Sequence, residues 1–240
     1  MSDPPPYRPA DRRPLAARQW RVSRLLAEGL ARRGASPNAI SVAGMLCAVA
    51  AGACLAATSI ATDWARPAWL FAVVLIALRG AANMLDGMVA ITSGKASPLG
   101  ELFNEVPDRI SDAATVIGLG YAAGGDPVLG YCAALAAVFT AYVRAMGKVA
   151  GAPQDYCGPM AKTHRMAVVV GVALYCGIAP AEWQPAWGAA RAGLWVILVG
   201  CIVTIIRRLL RAADRLRKPP PCTLPPATGS SASTTPSTTP

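Results

Sequence analysis

Long uncharged apolar stretches alternate with short basic or Pro/Gly-rich segments over most of this chain. A bilayer core about 30 Å thick takes roughly 20 helical residues to cross. Residues 37–62 carry no charge and meet that requirement alone. Shorter uncharged runs follow at 67–78, 113–125, 127–143, 166–181 and 192–206. Each becomes a span once its polar end faces protein or water. The pattern predicts an all-α, polytopic membrane protein: a six-transmembrane-helix bundle with helices near 37–60, 67–92, 98–123, 127–150, 165–181 and 186–211.

Two flanking pieces fall outside the bundle. Within residues 14–33, Leu15, Trp20, Val22, Leu25, Leu26 and Leu30 alternate with arginines at near-helical spacing. That pattern predicts an amphipathic helix lying on an anionic membrane surface, against the plainer reading of a solvated, topogenic basic helix. From Pro219 onward the chain is too polar and Pro/Ser/Thr-rich to fold. The expected organisation is a cytoplasmic arm with a juxtamembrane helix (1–36), a membrane domain (37–212) and a disordered cytoplasmic tail (213–240).

Composition sharpens this. Apolar residues make up 54% and charged residues 15%, against about 25% charged in a soluble domain. Such apolar content excludes a disordered or collagenous chain. Seven scattered cysteines without a C-x-x-C pair, and one histidine, exclude a Cys/His zinc site. The net charge of +10 is clustered: eight arginines precede residue 37, and further Lys and Arg follow helices four and six. The alternate loops hold only Arg66 and Arg191. The positive-inside rule then puts both termini in the cytoplasm. Trp64, Trp69, Trp183 and Trp187 are placed as an outer aromatic belt.

Carboxylates inside membrane helices are expensive and mark function. Here they share one level. Asp86 lies near the cytoplasmic end of the second helix, with Asn83 one turn earlier. Glu101, Asn104, Glu105, Asp108 and Asp112 recur at i, i+3, i+4, i+7, i+11 on one face of the third. A short loop should pack these helices antiparallel, bring Asp86 to Asp108, and let Gly87 and Gly100 bring backbones close. Three readings share this evidence: a polar network neutralised by Arg79 and Arg109, an ion-coupled transport site, or an oxygen site for Mg²⁺ or Mn²⁺.

The arrangement resembles the CDP-alcohol phosphatidyltransferase family, whose motif is D-x2-D-G-x2-A-R-x8-G-x3-D-x3-D. From residue 83 to residue 108 every spacing agrees, and Asp86, Gly87, Ala90, Gly100 and Asp108 are identical to it. Segments beginning at Pro37, Tyr142 and Gly158 look similar too. Asn83 and Asn104 stand where the family has its first and third aspartates, and Ile91 where it has arginine. The chain thus looks like a variant branch of the family.

The resemblance implies transfer of a phosphatidyl or substituted phosphoryl group from a CDP-alcohol, CDP-diacylglycerol being favoured, to an acceptor alcohol, with CMP leaving. It implies Asn83, Asp86, Asn104 and Asp108 as ligands of Mg²⁺ or Mn²⁺, Asp108 also serving as general base. Gly87, Ala90 and Gly100 would contact the donor. Asn38 and Ser41 would line the nucleotide pocket or cap their helix. Arg79, Arg144, Lys162 and Arg165 would take an acceptor or a phosphate, the alternative for the last three being topology alone. The implied setting is phospholipid biosynthesis at the cell (inner) membrane, with the site on the cytoplasmic side. The implied partners are a donor lipid, an acceptor alcohol, membrane lipids and a second copy in a homodimer, with no nucleic acid. The rival reading is a catalytically silent member that binds lipid or a partner. The orientation is testable: in a cysteine-free background, a cysteine at position 155 should react only with membrane-permeant reagents, and labelling from outside would overturn the site's placement.

Overall fold

The computed structural model describes residues 21–95, 97–153 and 157–217. Among the described residues there are seven α-helices and no strand: α1 (Arg21–Arg32), α2 (Pro37–Ala57), α3 (Ala65–Thr92), α4 (Pro98–Tyr121), α5 (Pro127–Val149), α6 (Lys162–Ile178) and α7 (Ala189–Arg217). Proline in the first turn starts α2, α4 and α5, where a missing N–H costs nothing. Ser97 caps α4 by accepting from the Gly100 N–H (3.1 Å), and Asp126 caps α5 by accepting from Leu129 (3.0 Å).

Four segments are long and apolar enough to cross a membrane: Pro37–Ala57, Thr62–Thr92, Pro127–Val149 and Ala189–Arg217. Six had been expected. α6 has only 17 residues, and α4 carries its acidic face in its first half, so neither meets the criterion by length and hydropathy. α6 also begins three residues earlier than predicted, and α7 runs on to Arg217, into the region expected to be tail. A helix occupies Arg21–Arg32 within the segment predicted to be amphipathic, while Leu15 and Trp20 lie outside the described residues. Its Ser23 and Ala27 are buried, α1 packs on α3, and Val22, Leu25 and Leu26 point outward.

The bundle is held by small residues. A Cβ on Gly52 would collide with the Ala114 carbonyl, and one on Gly118 with Gly52, so α2 and α4 cross backbone to backbone. Gly120 and Gly130 bring α4 and α5 equally close. Such contacts suit a bilayer, where association depends on close packing rather than on apolar burial. The outward faces carry Leu46, Phe71, Leu135, Val199 and Leu209, all exposed, a surface that belongs in lipid. Trp69 does not join an aromatic belt. It is 3% exposed and packs beside Gly177, on the side of α3 turned toward α6, whereas Trp64, Trp183 and Trp187 are exposed as expected.

α2 packs against both α3 and α4 far more extensively than those two pack on each other. The short connection had predicted a direct antiparallel pair. α2 is instead the shared partner, and long side chains link α3 to α4.

Candidate active site

The polar cluster sits at the C-terminal end of α3 and the N-terminal half of α4. Asp86 is buried, and its Oδ2 lies 2.7 Å from Ser41 Oγ on α2. That hydroxyl is also 3.2 Å from the Pro37 carbonyl. One proton serves both, and the shorter contact to a charged oxygen takes it. Oδ1 of Asp86 accepts from the Gly87 N–H at 2.5 Å. Ser41 therefore orients a carboxylate, a role the sequence reading had not given it. Asn38 is exposed, and no side chain caps α2.

Asp108 is met by two cations, both at Oδ1: the Arg79 guanidinium and Lys162 Nζ, the latter at 2.7 Å. Arg79 also donates from Nε to Ser111 Oγ (2.9 Å) and approaches Asn83 Oδ1 with Nη2 at 3.5 Å. The sequence reading gave Arg79 either a place in a neutralised polar network or a phosphate to bind. Asp86 lies within electrostatic range of both Asp108 and Arg79. Asn104 Oδ1 is buried and has no hydrogen-bond partner. An unpaired buried amide oxygen is costly and is the kind of acceptor a cation would satisfy. No group of three or more His, Cys, Asp or Glu able to hold a metal occurs among the described residues. A divalent ion would thus have to use amide oxygens beside the carboxylates, a donor set that suits Mg²⁺ or Mn²⁺.

The close approach expected at Gly100 is differently placed. A Cβ on Gly100 would meet only its own cap, Ser97 Oγ. The tight backbone contact near the site is at Gly44 of α2, where a Cβ would press on Ala82 and touch Arg79 Cδ. Ala90 is half-buried and Ile91 exposed.

The basic residues divide into two groups. Arg144 on α5 donates to Glu105 Oε1 (2.9 Å), and Arg109 to Glu105 Oε2 (2.7 Å). Glu105 is thus held between Arg144 and Arg109. Arg144 also lines a cleft with Val143, Gly147, Ala152, Arg208, Ala212 and Arg215. Arg165 behaves differently. It is 1% exposed, pairs with Asp112, and donates to the Met160 carbonyl (2.9 Å) and Thr140 Oγ1 (3.3 Å). Buried in the bundle, it is a clamp between α4 and α6 rather than the acceptor ligand that was expected. Arg208 had been counted only for topology. It donates to the carbonyls of Cys157 (2.9 Å) and Thr140 (2.7 Å) and fixes α7 beneath the same cleft. No local spacing signals such partners, which lie far apart in sequence.

Fold and site together define a polytopic membrane protein with a carboxylate, amide and guanidinium cluster at one end of its bundle. Residues 35–206 match the CDP-alcohol phosphatidyltransferase family, and the chain belongs to it. It is a transferase of phospholipid biosynthesis that moves a phosphatidyl or other substituted phosphoryl group from a CDP-alcohol to an acceptor alcohol and releases CMP. Among curated relatives, the phosphatidylinositol phosphate synthase of Streptomyces avermitilis is 28% identical over 79% of this chain and 77% of its own length. The archaetidylinositol phosphate synthase of Aeropyrum pernix is 28% identical over 82% of this chain and 93% of its own. The fold matches that of Mycobacterium tuberculosis phosphatidylinositol phosphate synthase solved with CDP-DAG, with a TM-score of 0.65 at 22% identity over 80% of this chain and 94% of that one. The same enzyme in complex with manganese and citrate gives a TM-score of 0.66 at 21% identity, over 80% and 88% of the two chains.

The clamp can be tested without turnover. Breaking a buried ion pair from one side strands a charge and costs about 3–5 kcal/mol, whereas apolar replacement of both partners is often nearly neutral. Asp112→Leu should therefore lower thermal stability in detergent strongly, and Asp112→Leu with Arg165→Met should restore most of it.

Proposed function

We propose that this chain transfers the phosphatidyl group of CDP-diacylglycerol to a phosphorylated polyol of the inositol phosphate class. It does so at the cytoplasmic face of the cell (inner) membrane, with α2–α7 as six spans, α1 lying in the interface and both termini inside. The observation that carries the reading is Lys162, which lies 2.7 Å from Asp108 Oδ1 at the cytoplasmic start of α6. A phosphate on the acceptor, drawn to Lys162 and to the nearby Arg144, would bring the acceptor's hydroxyl beside the Asp108 carboxylate. The curated relatives, named as synthases of phosphatidylinositol phosphate and archaetidylinositol phosphate, favour the same acceptor class.

In this reading Mg²⁺ or Mn²⁺ would take its ligands from among Asp86, Asp108, Asn83 and Asn104, as in an Asn-bearing branch of the family. The ion supplies charge stabilisation for the donor's diphosphate when bound. Asn104 Oδ1, buried without a partner, supports that fit. The chain's own residues do the rest. Ser41 fixes Asp86 in one rotamer. Asp108 takes the proton of the attacking hydroxyl, its Oδ1 anchored by Arg79 and Lys162. Gly87, Ala90 and Gly100 leave room for the donor, and Asn38, exposed at the start of α2, is placed to meet the cytidine. The donor's acyl chains stay in lipid while its nucleotide remains in water. A homodimer completes the expected assembly.

CMP release from CDP-diacylglycerol and inositol phosphate, with Mg²⁺ or Mn²⁺, is the direct assay. Asp108→Asn should cut kcat by about 10²–10⁴, the usual contribution of a positioned base. Lys162→Ala should raise KM for inositol phosphate and leave that for the donor unchanged. Near-normal turnover in Asp108→Asn would remove it as the base. Absence of CMP release across donors and acceptors would favour the silent, ligand-binding reading.

A further inference from the structure

We infer that the Arg79 guanidinium is a built-in cation that stands in for metal charge, so that the site takes a single divalent ion on its Asp86–Asn104 side. The inference rests on the transferase reading above and extends it to the number of ions.

Three observations carry it. The first is position. Arg79 Nη2 contacts Asp108 and approaches Asn83 Oδ1 at 3.5 Å. These are the first and last of the four expected ligand positions, so one cation already bridges two of them. The second is construction. Arg79 is 4% exposed, and its Nε donates to Ser111 Oγ at 2.9 Å. That hydroxyl in turn donates to the Pro107 carbonyl at 2.6 Å, which leaves its lone pair for the guanidinium. Gly44 leaves room for the side chain beside α2: a Cβ there would lie 3.4 Å from Arg79 Cδ and 3.5 Å from Nη1. Nη1 itself is buried without a partner, so the protein's acceptors do not exhaust this cation. The third is charge. With asparagine at positions 83 and 104, the ligand set holds only the charges of Asp86 and Asp108, and Arg79 and Lys162 already match them.

A neutral cluster cannot stabilise two divalent ions in a site largely cut off from water. It can accept one, provided the ligands are Asp86 and neutral oxygens and the donor's diphosphate adds about two negative charges on binding. Asn104 Oδ1, the acceptor left unpaired, marks the side on which that ion fits. Asp86 is the carboxylate of the set that Arg79 does not contact: its oxygens meet Ser41 and Gly87.

The test is the number and coupling of bound Mn²⁺ ions, read by electron paramagnetic resonance on the full-length protein in detergent without donor. The wild type should bind about one Mn²⁺ per chain with an uncoupled signal. Arg79→Gln combined with Asn83→Asp and Asn104→Asp should bind two, with the exchange-coupled signature of a close pair. Arg79→Lys, which keeps the charge and serves if the triple variant does not fold, should still bind one. Two ions or none in the wild type, a second ion in Arg79→Lys, or a folded triple variant that holds one would each overturn the inference. CMP release scored in parallel separates the two claims. Two ions with normal turnover would sink the inference alone, and one ion without turnover would sink the transferase reading alone.

Discussion

The reach of Arg79 from α3 to Asp108 on α4 is the interaction on which the site depends. Those two helices carry the proposed ligand positions, yet α2 packs against both far more extensively than they pack on each other. A guanidinium long enough to span the gap, locked by Ser111 and admitted by Gly44, fixes the separation of Asp86 from Asp108. A shorter or uncharged side chain would leave Asp108 to Lys162 alone and Asn83 without a neighbouring cation. Arginine suits this place because its planar fork presents several donors at fixed angles and keeps its charge when buried.

Around that link the bundle is arranged to be dense where it is polar. The Asp112–Arg165 pair lies one helical turn beyond Asp108, fully buried, and ties α4 to α6, the helix that supplies Lys162. Arg208 ties α7 to α5 through the Thr140 carbonyl, and Thr140 Oγ1 faces Arg165. The guanidinium groups of Arg79, Arg165 and Arg208 thus connect α3, α4, α5, α6 and α7 at one level. Above that level the helices meet through glycine and alanine. The polar end is held by hydrogen bonds and charge and the apolar body by close packing, as suits a bundle that crosses lipid.

Much of this was legible in the residues. The acidic face of α4 follows from its spacing, and Pro37, Pro98 and Pro127 mark helix starts to the residue. Arg79 links Asp108 to Asn83 across the two helices, and the family assignment holds over residues 35–206. What could not be read was pairing between distant segments. Arg165 reads as an acceptor-binding or topogenic cation at a helix end, yet it lies on the inward side of α6, and only the fold shows Asp112 opposite. Trp69 was grouped with the other tryptophans by its position near a helix end, and lay inward for the same reason. The α3–α4 contact was inferred from a short connection, which limits distance but does not decide whether a third helix comes between. Ser41 was read as a cap or a nucleotide contact, since its true partner lies 45 positions away.

The central claim is that two carboxylates, two asparagines and one arginine make a working centre for phosphoryl transfer around a single ion. Anomalous scattering from crystals grown with Mn²⁺ and the CDP-alcohol donor tests it most directly. One peak, beside Asp86 and Asn104, with Arg79 still on Asp108 and the diphosphate against the ion, is the predicted result. Two peaks bridged by Asp108, with Arg79 displaced, would contradict it.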